Sequence, residues 1–229
     1  SLLISSFHPD LGILAAYGKI IPKEIIDLFP KGILVVHPSL LPIYRGASPI
    51  QAAILNGDQE TGVSIIRMDE KMDHGPIVHQ FKEAINPDET AGELTKRLFL
   101  KTASVIPDLI GNPDLDPRFR GDDNLIVFSP PKPQNHSLAT YTKLLPKDDG
   151  FIEWETLASQ GESFQSYNFI RAMSPWPGAW TMVSCHSRSN RESRFLASGL
   201  DPRFPARNAE CIASAGGRGD DNKLRLKIL

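Results

Sequence analysis

The sequence is poor in cysteine and has no long apolar run, and these absences exclude several classes of protein. Among its 229 residues only Cys185 and Cys211 are cysteines. Two cysteines build neither a disulfide framework nor a metal cluster, so we expect no metal. No apolar run reaches the roughly 20 residues that a membrane-spanning helix needs, and no signal peptide is recognisable. We therefore expect a cytoplasmic protein that does not enter a membrane.

The sequence also lacks a large excess of either charge. Its net charge is −2, which is not typical of a general nucleic-acid binder. Residues 125–229 nevertheless hold 13 Lys and Arg against 10 Asp and Glu, whereas residues 1–124 hold 12 against 17. This mild bias fits either contact with a polyanion or an ordinary solvated surface.

What is present is an alternation of short apolar runs with helix-forming segments. The pattern predicts strands at 10–17, 32–36, 63–68 and 77–85, and helices at 22–29, 47–55 and about 91–110. The segment 77–85 alternates apolar and polar residues more regularly, so this strand is predicted nearer an edge of the sheet. Thr90 and Glu93 form a capping-box pattern before the long helix. This order predicts an α/β fold with a Rossmann-like, mostly parallel sheet.

The composition divides the chain into two units. We predict a first domain at 1–130, a linker at 131–138 that begins after two prolines, and a second domain at 139–229. The second domain has one clear helix, predicted at 163–173, followed by short strand-like pieces. Because Leu2 to Ile4 already read as part of a strand, we expect the chain to begin inside a fold and to aggregate as a bare fragment.

Two short segments occur twice. LDPRF stands at 115–119 and 200–204, and RGDDN at 120–124 and 218–222. One interpretation is an Arg-rich binding loop. We favour the other, in which repeat-like insertions at about 111–124 and 184–222 have little to bury and no role. On that interpretation 181–183 and 223–229 form neighbouring strands.

The densest chemical signal is GILVVHPSLLPIYRG at 32–46. His37 follows a predicted strand, at the edge where ligands of open α/β sheets bind. Two prolines stiffen the loop after it, which suits a flat heteroaromatic ligand. The N-terminus of the helix at 47–55 would favour an anionic or polar group.

A second signal is MDEKMDHGP at 68–76. Asp69 and Asp73 both lie in the loop after the third predicted strand. An aspartate near His37 would orient the imidazole and strengthen it as a base. The spacing alone does not decide which of the two does so.

These segments, with HPSLLP, YRGASPI and GDQETGVSIIRMDEKMDHGPI in one order, resemble the formyltransferase family that uses 10-formyltetrahydrofolate. The resemblance implies that His37 and Asp73 are catalytic and that folate is the co-substrate. It also implies that folate is contacted by Ser39, Leu40, Leu41 and Pro42. Candidate substrate-binding residues are Tyr44, Arg45 and Gly46.

The second unit indicates which group of formyltransferases the chain resembles. YTKLLPKDDGFIEW at 141–154 and IRAMSPWPGAWT at 170–181 resemble the C-terminal domain of the methionyl-tRNA formyltransferases, an OB-like β-barrel that helps to hold tRNA. The implied reaction is transfer of a formyl group to the α-amine of initiator methionyl-tRNA, by a monomeric enzyme of translation initiation. An amino sugar or a ribonucleotide is the alternative acceptor.

One position departs from the family pattern. The family has Asn-X-His, whereas this chain has Val35-Val36-His37. The family asparagine donates a hydrogen bond to the oxyanion, and valine has no donor. The sequence therefore leaves two hypotheses, an enzyme with impaired activity and a folate- or tRNA-binding remnant without turnover.

Overall fold

The computed structural model describes residues 7–111, 131–158, 163–184 and 223–228. The strands are β1 Gly12–Ala15, β2 Ile33–His37, β3 Arg45–Gly46, β4 Glu60–Arg67, β5 Ile77–Ala84, β6 Tyr141–Thr142, β7 Ala179–Ser184 and β8 Lys223–Ile228. The α-helices are α1 Lys23–Ile26, α2 Pro49–Leu55, α3 Ala91–Gly111, α4 Trp154–Ala158 and α5 Ser163–Met173. Both cysteines and all four repeated segments lie outside the described residues.

A four-stranded sheet with the order β1-β2-β4-β5 organises the first part of the chain. The β1–β2 pair is parallel, as predicted, with Leu14 opposite Val35. The β2–β4 and β4–β5 pairs are antiparallel, so the described sheet is mixed and the prediction of parallel pairing holds only for β1 and β2. The nine residues between β4 and β5 are too few for a crossover helix, which explains why that pair is antiparallel.

Strand β2 lies in the interior of this sheet and is buried because it is almost entirely apolar. Side chains alternate along a strand, so Leu34 and Val36 face one side and Val35 and His37 the other. Leu34 and Val36 belong to the apolar core that α2 and α3 help to form. The opposite face therefore presents Val35 and His37 together.

The described residues of the second part form a small core of their own. It consists of Ile152, Leu157, Ile170, Met173 and Ala179. The predicted helix at 163–173 is confirmed as α5. Strands β7 and β8 pair antiparallel with Thr181 opposite Leu226, which confirms that 181–183 and 223–229 are neighbouring strands.

The two parts are packed against each other. Ala172 of α5 belongs to the core of the first part. Residues 131–142 also follow the surface of the first part: Lys132 forms a β-bridge with Ile77, and β6 pairs with β3. The predicted linker is therefore a contacting segment, and the division into two domains stays a prediction. No described helix is long and apolar enough to cross a membrane.

The capping box at the start of α3 generates a stability prediction. Thr90 N donates to Glu93 Oε2 at 2.9 Å, and Glu93 N donates to Thr90 Oγ1 at 3.3 Å. The hydrogen bonds that Thr90 donates to the carboxylate, from its N and its Oγ1, lower the pKa of Glu93. We expect Thr90→Ala to reduce the free energy of unfolding by about 1 kcal/mol, measured by urea denaturation. Ser104→Ala is the control, since this exposed hydroxyl bonds only to Lys101 O; an equal loss in both variants would contradict the prediction.

Candidate active site

His37 is the last residue of β2, and its side chain is 6% exposed. Its Nε2 lies 2.9 Å from the carbonyl oxygen of Tyr44. A carbonyl oxygen only accepts hydrogen bonds, so Nε2 must carry the hydrogen. The lone pair of the neutral ring is therefore on Nδ1, which becomes the nitrogen that can take up a proton.

Asp73 is the aspartate that the structure brings to His37. Its Oδ2 lies 3.6 Å from His37 Nδ1 and accepts a hydrogen bond of 2.8 Å from Gly46 N. Asp69, the other candidate, instead contacts His74 Nδ1 through its Oδ2 at 2.6 Å. The structure thus separates two aspartates that the sequence left equivalent.

The route of the 68–76 loop explains why this contact was not deducible from strand order. Because β4 is antiparallel to β2, the loop begins at the end of β2 away from His37, where Met68 N donates to Ile33 O at 2.8 Å. The loop must return along the sheet by about three residues, roughly 10 Å, to reach His37. Asp73 arrives there with a positive φ of 48°, a conformation that aspartate tolerates better than most residues.

Val35 lies on the same side of β2 as His37, two residues before it. It is half-buried between Leu14 of β1 and Ile66 of β4. An asparagine here would present its amide toward the face that carries the imidazole. Valine presents two methyl groups and no hydrogen-bond donor.

The 38–44 loop is held by a serine that the sequence analysis missed. The buried Ser64 hydroxyl of β4 donates to Ser39 O at 2.7 Å and accepts from Leu41 N at 3.0 Å. Gln80 of β5 donates to Leu41 O at 3.1 Å. Ser64 interrupts the buried apolar run of β4, and a polar side chain in such a run is a signal that a buried partner exists.

The four predicted folate-binding residues have unequal access to solvent. The side chains of Ser39 and Leu41 are buried, and the Ser39 hydroxyl donates to Ile43 O at 2.6 Å. Leu40 and Pro42 are half-buried. A ligand can therefore meet the side chains of Leu40 and Pro42, whereas Ser39 and Leu41 mainly shape the loop.

The three candidate substrate-binding residues, Tyr44, Arg45 and Gly46, all form hydrogen bonds within the protein. The hydroxyl of Tyr44 donates to Asp58 Oδ2 at 2.7 Å, and its carbonyl holds His37. Burial is the main cause that raises the pKa of Tyr44. Gly46 has φ 109° and donates its N–H to Asp73, and a Cβ there would lie 2.3 Å from a backbone oxygen. The Arg45 side chain is buried rather than open to a substrate.

Two clefts lie near β1, β2 and the 68–76 loop. One of about 370 Å³ lies beside β1 and the segment 17–29. The other, about 560 Å³, is lined by the start of the 68–76 loop and by His74, next to Asp73. His37 and the residues at 39–42 are not among the lining of either cleft. Among the described residues no group of three or more His, Cys, Asp or Glu side chains could hold a metal ion.

The mixed α/β sheet thus presents a histidine–aspartate pair beside the 38–44 loop. Comparison with known proteins gives the particular class. Residues 2–110 match the family described as formyl transferase.

Curated relatives of the chain are methionyl-tRNA formyltransferases. The protein from Roseiflexus sp. (strain RS-1) is 44% identical over 78% of this chain and 50% of its own length. That from Buchnera aphidicola subsp. Schizaphis graminum is 41% identical over 79% of this chain and 52% of its own. The chain thus spans about half the length of these relatives.

Solved structures share the fold at lower identity. The methionyl-tRNA formyltransferase from Clostridium thermocellum has a TM-score of 0.59 and 22% identity, over 82% of this chain and 75% of its own. HypX from Aquifex aeolicus, in complex with tetrahydrofolic acid, has a TM-score of 0.57 and 16% identity, over 98% of this chain and 36% of its own. These likenesses support the fold.

The Ser64 hydroxyl generates a prediction for this site. Ser64→Ala removes the partners of Leu41 N and Ser39 O, which are buried, and each unsatisfied buried group costs about 1–3 kcal/mol. We expect a loss of that order in the free energy of unfolding, measured by urea denaturation. The control is Ser137→Ala, an exposed serine. A Ser64→Ala variant as stable as the control would show that the hydroxyl does not hold the loop.

Proposed function

We propose that this protein transfers the formyl group of 10-formyltetrahydrofolate to the α-amine of initiator methionyl-tRNA, in the cytoplasm, as a monomer and without a metal. The proposal rests chiefly on the placement of His37 Nδ1 at 3.6 Å from Asp73 Oδ2, within the segment that matches the formyl transferase family. In this reaction the amine nitrogen bonds to the formyl carbon, and the bond from that carbon to folate N10 breaks.

His37 acts as the base in this proposal. Its Nε2–H is bound to Tyr44 O, so Nδ1 accepts the proton that the attacking amine loses. The attacking nitrogen is neutral once it has lost this proton, and the imidazolium returns the proton to N10 as the bond between the formyl carbon and N10 breaks. A general base of this kind contributes on the order of a hundred- to ten-thousandfold to rate.

Asp73 stabilises the imidazolium that His37 becomes. Its carboxylate is 13% exposed, so water screens the interaction less than at the surface. The hydrogen bond from Gly46 N fixes Oδ2, which keeps the negative charge directed at Nδ1. Asp73 thus acts on the reaction through His37.

The 38–44 loop supplies the surface for folate in this proposal. Its backbone is fixed by hydrogen bonds from the buried Ser64 and from Gln80, so little conformational freedom remains to be lost when a flat ring binds. The half-buried Leu40 and Pro42 and the 43%-exposed Ile43 offer apolar contact next to the catalytic pair. These features fit a pterin ring.

The acceptor is assigned from the second part of the chain and the curated relatives. Those relatives are methionyl-tRNA formyltransferases, and their similarity to this chain extends beyond residue 110. We assign 139–229 as an OB-like domain that contacts tRNA, with an insertion at about 184–222. Trp176, which is 57% exposed, is available for contact with a partner. An acceptor panel with an amino sugar nucleotide and a ribonucleotide tests the alternative.

Val35 favours a second candidate function, a folate- or tRNA-binding protein without turnover. The position faces the same side as His37, and its side chain donates no hydrogen bond to the developing oxyanion. Loss of one oxyanion donor costs on the order of a hundred- to a thousandfold in rate. The two candidates differ in whether His37 matters for formyl transfer.

Restoring the donor is the test of the proposed function. We expect Val35→Asn to raise kcat about 100- to 1000-fold in formylation of charged initiator methionyl-tRNA, because the amide stabilises the oxyanion. Val35→Ala is the matched control, since alanine also lacks a donor, and should give no increase. If neither the chain nor Val35→Asn formylates above background, the assignment fails.

Removing the base separates the two candidates. In the Val35→Asn background, His37→Ala should lower kcat by at least about a hundredfold. The control is His79→Ala, a half-exposed imidazole on β5 whose pKa is lowered by burial. Folate-analogue binding with formyl transfer unchanged by His37→Ala would favour the binding protein.

A further inference from the structure

Gln134 lies in the segment between the two parts of the chain, and it contacts the loop that carries Asp73. Its Nε2 donates to Asp73 O at 2.9 Å and to Gly75 O at 2.7 Å. The side chain is buried, although residues 132, 133 and 135–138 around it are exposed. A single buried glutamine thus joins this segment to the backbone on both sides of residue 74.

Arg45 fixes which way this carboxamide points. Its Nη2 donates to Gln134 Oε1 at 2.6 Å and to His136 Nδ1 at 2.8 Å. A guanidinium only donates, so the carboxamide oxygen must face Arg45. Both hydrogens of the carboxamide nitrogen are then free for the two carbonyls of the loop. The hydrogen-bond pattern is therefore directional and has one consistent arrangement.

Arg45 is itself an unusual buried group. It is 2% exposed, its recorded partners are all neutral, and its Nε has no partner among the described residues. A buried cation without a carboxylate is costly, and its hydrogen bonds are correspondingly strong. Strong donation from Arg45 holds Gln134 in a single rotamer.

The Asp73 loop needs such an anchor. It returns along the sheet from the far end of β2, and Asp73 adopts a left-handed conformation with φ 48°. Left-handed non-glycine residues persist only where the surroundings hold them. Gly75 packs closely against the backbone of Arg67, since a Cβ at residue 75 would lie 1.8 Å from Arg67 O. Gln134 binds the carbonyls of both residues.

We propose that Gln134 is a positioning residue for the proposed reaction: oriented by Arg45, its carboxamide holds the backbone of Asp73 so that the carboxylate faces His37. This role rests on the proposed function and assigns part of the active site to a residue outside the formyl transferase segment 2–110. The segment at 131–138 thereby couples the second part of the chain to the chemical step.

Kinetics of two Gln134 variants test the role. Gln134→Ala should lower kcat about 10- to 100-fold, because a misplaced catalytic group costs on this order, with KM values changed by less than about threefold. Gln134→Glu keeps the size and the acceptor for Arg45 but lacks the N–H groups, so it should lose as much. If the Gln134→Glu variant were as active as the wild type, residue 134 would contribute only packing, and the proposal would be overturned.

A double-mutant cycle shows whether Gln134 acts through Asp73. In an Asp73→Asn background, Gln134→Ala should cost less than about twofold in kcat, since the group it positions is already impaired. Losses that multiply would overturn the proposal. Asn135→Ala is the matched control in every assay, because the side chain of this exposed neighbour bonds, within the described part of the chain, only to Ser137 of its own turn.

Hydrogen exchange tests the same role without any activity. Amides in 68–76 should exchange faster in Gln134→Ala and Gln134→Glu than in wild type, while Asn135→Ala leaves them unchanged. Unchanged exchange in both Gln134 variants would overturn the positioning role even in an active enzyme. If neither the wild type nor Val35→Asn transferred a formyl group, the proposed function would be overturned instead. Hydrogen exchange in the 68–76 loop would still show whether Gln134 holds that loop.

Discussion

The candidate active site depends on one constraint: a carboxylate on a long loop must be held against an imidazole at the end of a buried strand. Strand β2 fixes His37, and Tyr44 O fixes the tautomer of its ring. Asp73 has no strand to fix it. It is held by Gly46 through its side chain and by Gln134 through its backbone.

These supports come from elements that are distant in sequence. Gly46 belongs to β3, which pairs with β6 at Tyr141–Thr142, and Gln134 lies just before that strand. The short β3–β6 pair therefore joins the residue that holds the Asp73 carboxylate to the segment that holds its backbone. On this proposal the second part of the chain helps to build the site, in addition to the tRNA contact that we propose for it.

Val35 shows how one position can separate binding from turnover. The 38–44 loop keeps the internal hydrogen bonds that shape its surface, and His37 and Asp73 keep their facing geometry. In the proposed reaction these groups bind folate and transfer the proton. Stabilisation of the oxyanion needs a hydrogen-bond donor near residue 35, where valine has two methyl groups instead. Val35 is therefore expected to lower the rate of formyl transfer much more than it alters the fold.

The sequence by itself determined the elements: β2 follows from an uninterrupted apolar run, α3 from its capping box, and the HPSLLP and MDHGP segments from their residue order. Strand direction was not determined, because antiparallel β4 and a parallel strand have the same apolar pattern. Spacing along the chain did not decide which aspartate meets His37; the family resemblance indicated Asp73, and the tertiary path of the 68–76 loop brings Asp73 to His37. The proposed role of Gln134 could not be predicted from the sequence for the same reason, since a hydrogen bond between residues 61 positions apart leaves no local pattern in the chain.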